Sequence, residues 1–148
     1  MLSRSKARKE EYGLILELWE KSVRYTHDFL AEEDLQFYKH VIPEYLDNVH
    51  LDLWKNEQHI IGFSGTSEEE LVMLFLDPDF IGKQYGHKIL LELIATESIK
   101  KIDVNTQNEH AKSFYLNHGF EIASEDAVDG FGKPYPITHL IKKPSGLS

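Results

Sequence analysis

Residues 72–91, VMLFLDPDFIGKQYGHKILL, constrain the fold of this chain more than any other stretch. An apolar run breaks at Asp77-Pro78, passes through a loop that holds Gly82 and Gly86, and enters an amphipathic segment. The pattern predicts a strand, a glycine-bearing loop and the start of a helix. Such a loop leaves several backbone N–H groups unpaired under the positive end of the helix dipole. The sequence therefore predicts a phosphate-binding geometry at this loop.

Length, charge and cysteine content limit the classes of protein to which the chain can belong. The chain has 148 residues, of which 41% are hydrophobic, so we expect residues 1–148 to form a single domain. It contains 16 Lys and Arg residues and 25 Asp and Glu residues, and the formal net charge of −9 disfavours a nucleic-acid partner. The chain has no cysteine. This excludes disulfides, thiolate metal centres and a cysteine nucleophile.

The N-terminal residues 1–11, MLSRSKARKEE, are polar and lack the apolar core of a signal peptide. No later apolar run is long enough to span a bilayer, so we expect a cytoplasmic protein with no membrane partner. We interpret residues 6–11 as a solvated face that runs into the first helix. The eight histidines are scattered without metal-ligand spacing, and no metal site is predicted.

Hydrophobic periodicity predicts the order helix, helix, three strands, helix, strand, helix, two strands. We expect Pro43 to end or kink the second helix. Helical crossovers flank the strand at 102–104, which should therefore lie parallel to the strand at 71–76. The predicted fold class is α+β, with a mixed, mostly antiparallel sheet and helices on both faces. The predicted segments are 12–23, 32–46, 50–54, 59–64, 71–76, 86–98, 102–104, 108–118, 120–123 and 137–141.

A second informative stretch, NTQNEHAKSFYLNHGFE, carries Asn108 and Tyr115 seven positions apart. Both side chains therefore project from one face of the predicted helix. Tyr115 could be a plain core aromatic, and Asn108 could cap the helix, where Thr106 and Glu109 also match a capping box.

Together the two stretches resemble motifs A and B of the GNAT superfamily of acyl-CoA-dependent N-acetyltransferases, and the element order agrees over nearly the whole chain. The segments SVRYTHDFL, VNTQNEHAKSFY and GKPYPITHL are similar to a bacterial YjaB-type subgroup of that superfamily. The resemblance implies that acetyl-CoA is the co-substrate and that its acetyl group moves directly to a primary amine. The acceptor would be a small-molecule or peptide amine, and the protein would be a monomer or a homodimer.

The resemblance also implies roles for individual residues. Tyr115 would be the general acid that protonates the departing CoA thiolate, and Asn108 would hold the pantetheine arm. His27, in the expected loop between the first two helices, is our first candidate for the general base, although it could merely cap the turn. Further candidates for the base are Asp28, Asp103, Asn105 and His139. The implied cofactor-binding residues are Leu74, Phe75, Leu76, Ile81, Gly82, Lys83, Gln84, Tyr85, Gly86, His87 and Asn108.

The loop departs from the superfamily pattern at two signature positions, where Ile81 replaces Arg or Gln and Gln84 replaces Gly. We expect Gln84 to point its side chain away from the phosphate and to avoid a glycine-only backbone conformation. Gly82 and Lys83 would compensate in part, because a lysine supplies positive charge. The alternatives to an enzyme are a sensor that binds acyl-CoA without turnover and an interaction domain that reuses the fold.

Overall fold

A computed structural model describes residues 1–144 and contains one mixed sheet of seven strands, in the order β1-β2-β3-β4-β5-β7-β6. All neighbouring strands are antiparallel except β4 and β5, which are parallel as predicted. In chain order the strands are β1 (Leu2–Lys6), β2 (His50–Asn56), β3 (His59–Ser67), β4 (Glu70–Leu76), β5 (Lys101–Asn105), β6 (Phe120–Asp126) and β7 (Ile137–Lys142).

Helices cover both faces of the sheet, which confirms the predicted fold class. The helices α1 and α2 enclose one core with β2 and β3, and α3 and α4 enclose a second core with β4, β5 and β7. None of the described helices is long and apolar enough to cross a membrane. The helices are α1 (Tyr12–Thr26), α2 (Glu32–Leu46), α3 (Tyr85–Glu97) and α4 (Glu109–Leu116), and short 3₁₀ turns lie at Lys9–Glu11 and Pro78–Phe80.

Pro43 does not end the second helix, which was one of its two expected effects. The helix α2 continues through Pro43 to Leu46. Pro43 has no N–H to donate to the carbonyl of Lys39, and the buried Leu46 holds the last turn against the core in spite of that loss.

Residues 6–11 are mostly exposed and lead into α1 as expected, except that Ala7 is buried. The preceding segment Leu2–Lys6 forms β1 at the edge of the sheet, which the sequence did not predict.

Arg4 explains why a polar segment forms this edge strand. Its guanidinium lies 2.7 Å from a carboxylate oxygen of the buried Asp52, 3.2 Å from Glu97 and 3.3 Å from Glu92. It also lies 5.0 Å from the centre of the Trp54 ring, within the range of a cation–π contact. These partners are 48 to 93 residues away in the sequence.

The strands β4 and β5 pair over two positions only, at Glu70–Lys101 and Leu71–Ile102. On its other side, β4 shifts register with β3, so that Val72 is an extra residue between Leu71 and Met73. Beyond Leu71 the two parallel strands diverge, and one backbone edge of residues 72–76 has no strand partner. Unpaired N–H and C=O groups on this edge need another partner, and a ligand can supply it.

Candidate active site

A cavity of about 400 Å³ opens where β4 and β5 diverge. Its wall comes from the end of β4, the loop before α3, one face of α4 and the end of α1. The structure brings eleven of the predicted site residues together around it: His27, Leu74, Phe75, Leu76, Ile81, Gly82, Gln84, Gly86, His87, Asn108 and Tyr115.

Two predicted cofactor-binding residues do not line this cavity. The Lys83 ammonium lies 5.6 Å from the centre of the Phe80 ring. The Tyr85 hydroxyl accepts a hydrogen bond of 2.6 Å from the side-chain amide of Asn56, so this ring faces β2. The wall also contains six residues that were not among the predicted site residues: Ser22, Thr26, His110, Ala111, Phe114 and His118.

The loop before α3 has a strained backbone at its last residue. Gly82 has φ +85°, and Gln84, the N-cap of α3, has φ +69° and ψ 7°. Gln84 is therefore left-handed, in a region that favours glycine but that other residues also adopt, so the expectation that it avoids a glycine-only conformation holds. For a residue with a side chain this conformation costs about 1–2 kcal/mol. The buried face of α3, with Ile89, Leu90 and Leu93, holds the helix start in place and compensates that cost.

Gln84→Gly is expected to bind acetyl-CoA about fivefold more tightly. Removal of the Gln84 side chain from the cavity wall would let a phosphate approach the loop N–H groups, and the phosphate would gain about one net hydrogen bond. Ser98→Gly is the matched control, since Ser98 at the other end of α3 is also left-handed, with φ +54°, but does not line the cavity. Calorimetric titration of both variants measures the difference. Equal affinities in the two variants would contradict the prediction.

Asn108 caps α4, because its Oδ1 accepts a hydrogen bond of 3.2 Å from the N–H of Ala111. The alternative capping box does not form: the Thr106 hydroxyl is 2.6 Å from that of Thr138 on β7. The cap uses the Oδ1 atom of Asn108 and leaves its side-chain NH₂ for a ligand in the cavity.

Tyr115 belongs to the core and to the cavity at once. Its ring packs among buried residues of the α3–α4 core, and the side chain also lines the cavity. Burial raises the pKa of its phenol well above the ordinary value, and no hydrogen-bond partner in the described chain contributes to that shift. The hydroxyl is therefore protonated near neutral pH and is free to donate to a ligand.

His27 lies at the C-terminus of α1, in the loop between the first two helices as predicted. The Thr26 hydroxyl donates a hydrogen bond of 2.9 Å to the carbonyl oxygen of Ser22, so its oxygen is left to accept from the Nδ1 of His27 at 2.6 Å. This arrangement fixes the proton on Nδ1 and leaves Nε2 with a free lone pair. Burial lowers the pKa of His27 to about 4, against a smaller opposing effect of Asp28, so the ring is neutral near pH 7.

A second cavity of about 210 Å³ adjoins the first and shares His27 and Phe75 with it. Its walls come mainly from α1, α2, the loop between them and the loop between β6 and β7. Aromatic rings form much of the wall, and their centres are 5.1 to 6.4 Å apart along the series His27, Phe29, Tyr135, Tyr38 and Phe131.

Comparison with known proteins agrees with this geometry. Residues 49–122 match the family model described as an acetyltransferase (GNAT) domain. The chain belongs to the GNAT family of acetyl-CoA-dependent N-acetyltransferases. This confirms the predicted superfamily and its co-substrate.

Individual GNAT proteins resemble the chain over nearly its full length. The peptidyl-lysine N-acetyltransferase YjaB of Escherichia coli K12 is 32% identical over 95% of this chain and 96% of its own. The solution structure of apo-form YjaB from Escherichia coli superposes with a TM-score of 0.88 at 31% identity, covering 98% and 99% of the two chains. At 22% identity, PaiA N-acetyltransferase from Thermoplasma acidophilum in complex with coenzyme A has the same fold, with a TM-score of 0.68 over 97% and 99%.

Of the other candidates for the general base of this GNAT chain, only Asn105 lines one of the two cavities. His139 lies 2.6 Å from both Asp103 and Asp126, and these carboxylates raise its pKa. Neither His139 nor Asp103 lines either cavity, and Asp28 is exposed. Asn105 lines the second cavity but has no titratable group. Within residues 1–144 no three acidic or histidine side chains are grouped to hold a metal ion.

A pair of histidines bridges α3 and the end of α4 at the cavity wall of this GNAT fold. The carbonyl oxygen of Phe114 accepts from His118 Nδ1 at 2.6 Å, so His118 Nε2 accepts from His87 Nδ1 at 2.7 Å when both rings are neutral. Nothing in the sequence pairs them, because they are 31 residues apart.

Proposed function

We propose that this GNAT N-acetyltransferase moves the acetyl group of acetyl-CoA directly to the side-chain amine of a lysine in a peptide or protein. The observation that carries the proposal is the meeting of two cavities at His27 and Phe75. One cavity ends at a phosphate-type loop, and the other has the size of a single side chain. Relatives named peptidyl-lysine N-acetyltransferases support the choice of acceptor.

The first cavity fits the cofactor. The unpaired edge of residues 72–76 would pair with the pantetheine amides and the acetyl carbonyl, and the NH₂ group of Asn108 would hold the same arm. The pyrophosphate would bind the N–H groups of residues 81–87 at the N-terminus of α3. Ile81 supplies no positive charge to the pyrophosphate. The backbone N–H groups and the helix dipole would therefore contribute a larger share of its binding than in a loop with a cationic side chain at this position.

The second cavity fits the amine. At about 210 Å³ it is smaller than the pockets of about 300–1,000 Å³ that hold drug-sized ligands. Its aromatic walls suit the methylene chain and the cationic head of an alkylamine. Desolvation in this largely aromatic slot lowers the pKa of an entering ammonium and favours the neutral amine that attacks the thioester, while the aromatic faces and Asp129 oppose that shift.

Two residues would manage the protons. The amine nitrogen attacks the thioester carbonyl carbon, a C–N bond forms, and Nε2 of His27 takes the proton that the nitrogen loses. The C–S bond then breaks, and the thiolate receives a proton from the hydroxyl of Tyr115. With a pKa of about 4, His27 is too weak a base to deprotonate a free ammonium, so it accepts the proton only as the new bond makes that nitrogen acidic.

The direct test is an acetylation assay with acetyl-CoA and lysine-containing peptides, read by thiol release and by mass spectrometry of the product. Acetyl-lysine in the peptide supports the proposal. Acetyl-CoA binding by calorimetry without turnover of any amine would instead favour the acyl-CoA sensor, which the substituted positions Ile81 and Gln84 keep as the second candidate.

Thr26→Val is expected to lower kcat about five- to tenfold, because losing the hydroxyl removes one hydrogen bond and releases the Nδ1 proton of His27 to move to Nε2. Long-range ¹H–¹⁵N correlation of His27 should change from one tautomer to a mixture. Thr26→Ser keeps the hydroxyl and should keep both the kcat and the tautomer. An unchanged tautomer in Thr26→Val would show that Thr26 has no positioning role.

A further inference from the structure

Three aromatic side chains form an exposed rim beside the second cavity: Phe37 and Tyr45 on α2, and Phe131 in the loop between β6 and β7. Their exposed fractions are 37%, 46% and 44%. The Phe131 ring meets the other two edge-on, at centre distances of 5.3 Å to Phe37 and 6.1 Å to Tyr45. Phe37 and Tyr45 are eight residues apart and share one face of α2.

The rim is continuous with the second cavity, because Phe131 belongs to both. From Phe131 the aromatic series runs inward through Tyr38 and Tyr135 to His27, where the cofactor cavity begins. The second cavity therefore has its catalytic end at His27 and its outer end at the rim.

Several bonds hold the rim in place. Tyr38 donates a hydrogen bond to Asp129, whose other carboxylate oxygen accepts from the backbone N–H groups of Phe131 and Lys133. The Lys133 ammonium is 2.8 Å from a carboxylate oxygen of Asp34 and 4.5 Å from the centre of the Phe37 ring. Because Asp34 pairs with Lys133, this lysine adds no net charge to the rim.

We infer that the rim binds an apolar side chain next to the acceptor lysine of a peptide, and so selects the sequence around that lysine. The inference rests on the proposed lysine acetyl transfer. A cavity of about 210 Å³ holds one side chain, so the rest of a peptide acceptor has to lie at the outer end of the cavity. The rim lies at that end, and burying leucine or aromatic groups against it is favourable in proportion to the apolar area removed from water.

The test compares a Leu–Lys–Leu peptide with a Gly–Lys–Gly peptide of the same length, using the full chain and acetyl-CoA. We expect kcat/KM about tenfold higher for the Leu–Lys–Leu peptide, mainly through a lower KM, since about 1.4 kcal/mol of binding is tenfold. Tyr45→Ala should reduce the ratio to about twofold. Tyr25→Ala is the matched control, because Tyr25 is a 67% exposed tyrosine on α1 that lines neither cavity, and it should keep the full ratio.

Binding of fluorescein-labelled versions of both peptides, measured by anisotropy with CoA present, separates this inference from the proposed function. If the Leu–Lys–Leu peptide binds more tightly and Tyr45→Ala abolishes the difference, peptide binding at the rim is supported even when no lysine is acetylated. The absence of acetylation then counts only against the proposed acetyl transfer. Equal kcat/KM and equal binding for the two peptides would overturn the rim. A rim buried by a second copy of the chain would also overturn it, and sedimentation would detect this as a dimer that Tyr45→Ala dissociates.

Discussion

Replacing Tyr115 by Phe is expected to lower kcat by about 100-fold or more, because a positioned general acid contributes about 10²–10⁴ to a rate. The affinity for acetyl-CoA should stay nearly unchanged, since the ring keeps its packing and its place in the cavity wall. Stability should also be kept, because the hydroxyl contributes no hydrogen bond within the described chain. Steady-state kinetics at saturating acetyl-CoA, together with calorimetric titration, measures the two effects separately.

The pH dependence of kcat gives a second measure of the role of Tyr115. Because burial raises the pKa of Tyr115, the wild-type kcat should show no loss from phenol ionisation up to about pH 10, the ordinary pKa of tyrosine. Tyr12→Phe is the control, since Tyr12 donates to Asp47 outside both cavities and its hydroxyl has no part in the proposed transfer. An unchanged kcat in Tyr115→Phe would exclude Tyr115 as the general acid and leave water as the proton donor.

Local patterns predicted the phosphate-type loop and the shared face of Asn108 and Tyr115, and the GNAT resemblance of these stretches supplied their roles toward the cofactor. The strand, the glycine loop and the helix start lie within residues 72–91, and the seven-residue spacing of Asn108 and Tyr115 lies within one helix. Such features depend on neighbours in the sequence, which is what periodicity detects. The parallel pairing of β4 and β5 followed from the same elements, because a helical crossover between two strands of one sheet makes them parallel.

The features that the sequence did not predict depend on distant partners. The strand β1 forms because Arg4 has carboxylate partners on β2 and α3, and the polar sequence of Leu2–Lys6 carries no strand signal of its own. Thr106 does not cap α4 because Thr138, 32 residues away, takes its hydroxyl. The left-handed backbone at Gln84 is likewise a consequence of how α3 is held by its buried face, and it overrides the local preference of glutamine.

The second cavity could not be predicted from sequence patterns for the same reason. Its two main loops, residues 27–31 and 127–136, are about a hundred residues apart and carry no periodic pattern. They meet because the Tyr135 hydroxyl accepts from the backbone N–H of Ala31 and donates to Asp34. The series of aromatic rings exists only after this contact has formed, so it depends on tertiary structure.

His27→Gln is expected to lower kcat by about 100-fold, because the amide has no basic nitrogen to accept the proton from the attacking amine. Glutamine is uncharged and can still donate a hydrogen bond to Thr26. The variant therefore removes the basic nitrogen and keeps the loop conformation. The affinity for acetyl-CoA, measured by calorimetry, should change little. A retained kcat would mean that the amine loses its proton to water.

The same variant should change how stability depends on pH. The pKa of His27 is about 4 in the folded chain and about 6.5 when unfolded. The unfolded state therefore binds the proton more readily between these values, and the free energy of unfolding falls as the pH drops from about 6.5, with the full loss reached below about 4. The difference of 2.5 pKa units corresponds to about 3 kcal/mol.

Urea unfolding at pH 7, 5 and 4 measures this loss, and His27→Gln should remove about 3 kcal/mol of it by eliminating the titrating group. His40→Gln is the matched control, because His40 is exposed on α2 and outside both cavities, and it should keep the wild-type dependence. If both variants lost stability with pH as the wild type does, the imidazole of His27 would be solvated in the folded chain. A solvated ring with an ordinary pKa would be largely neutral only above about pH 6.5, and the acid limb of kcat/KM would then move up to that pH.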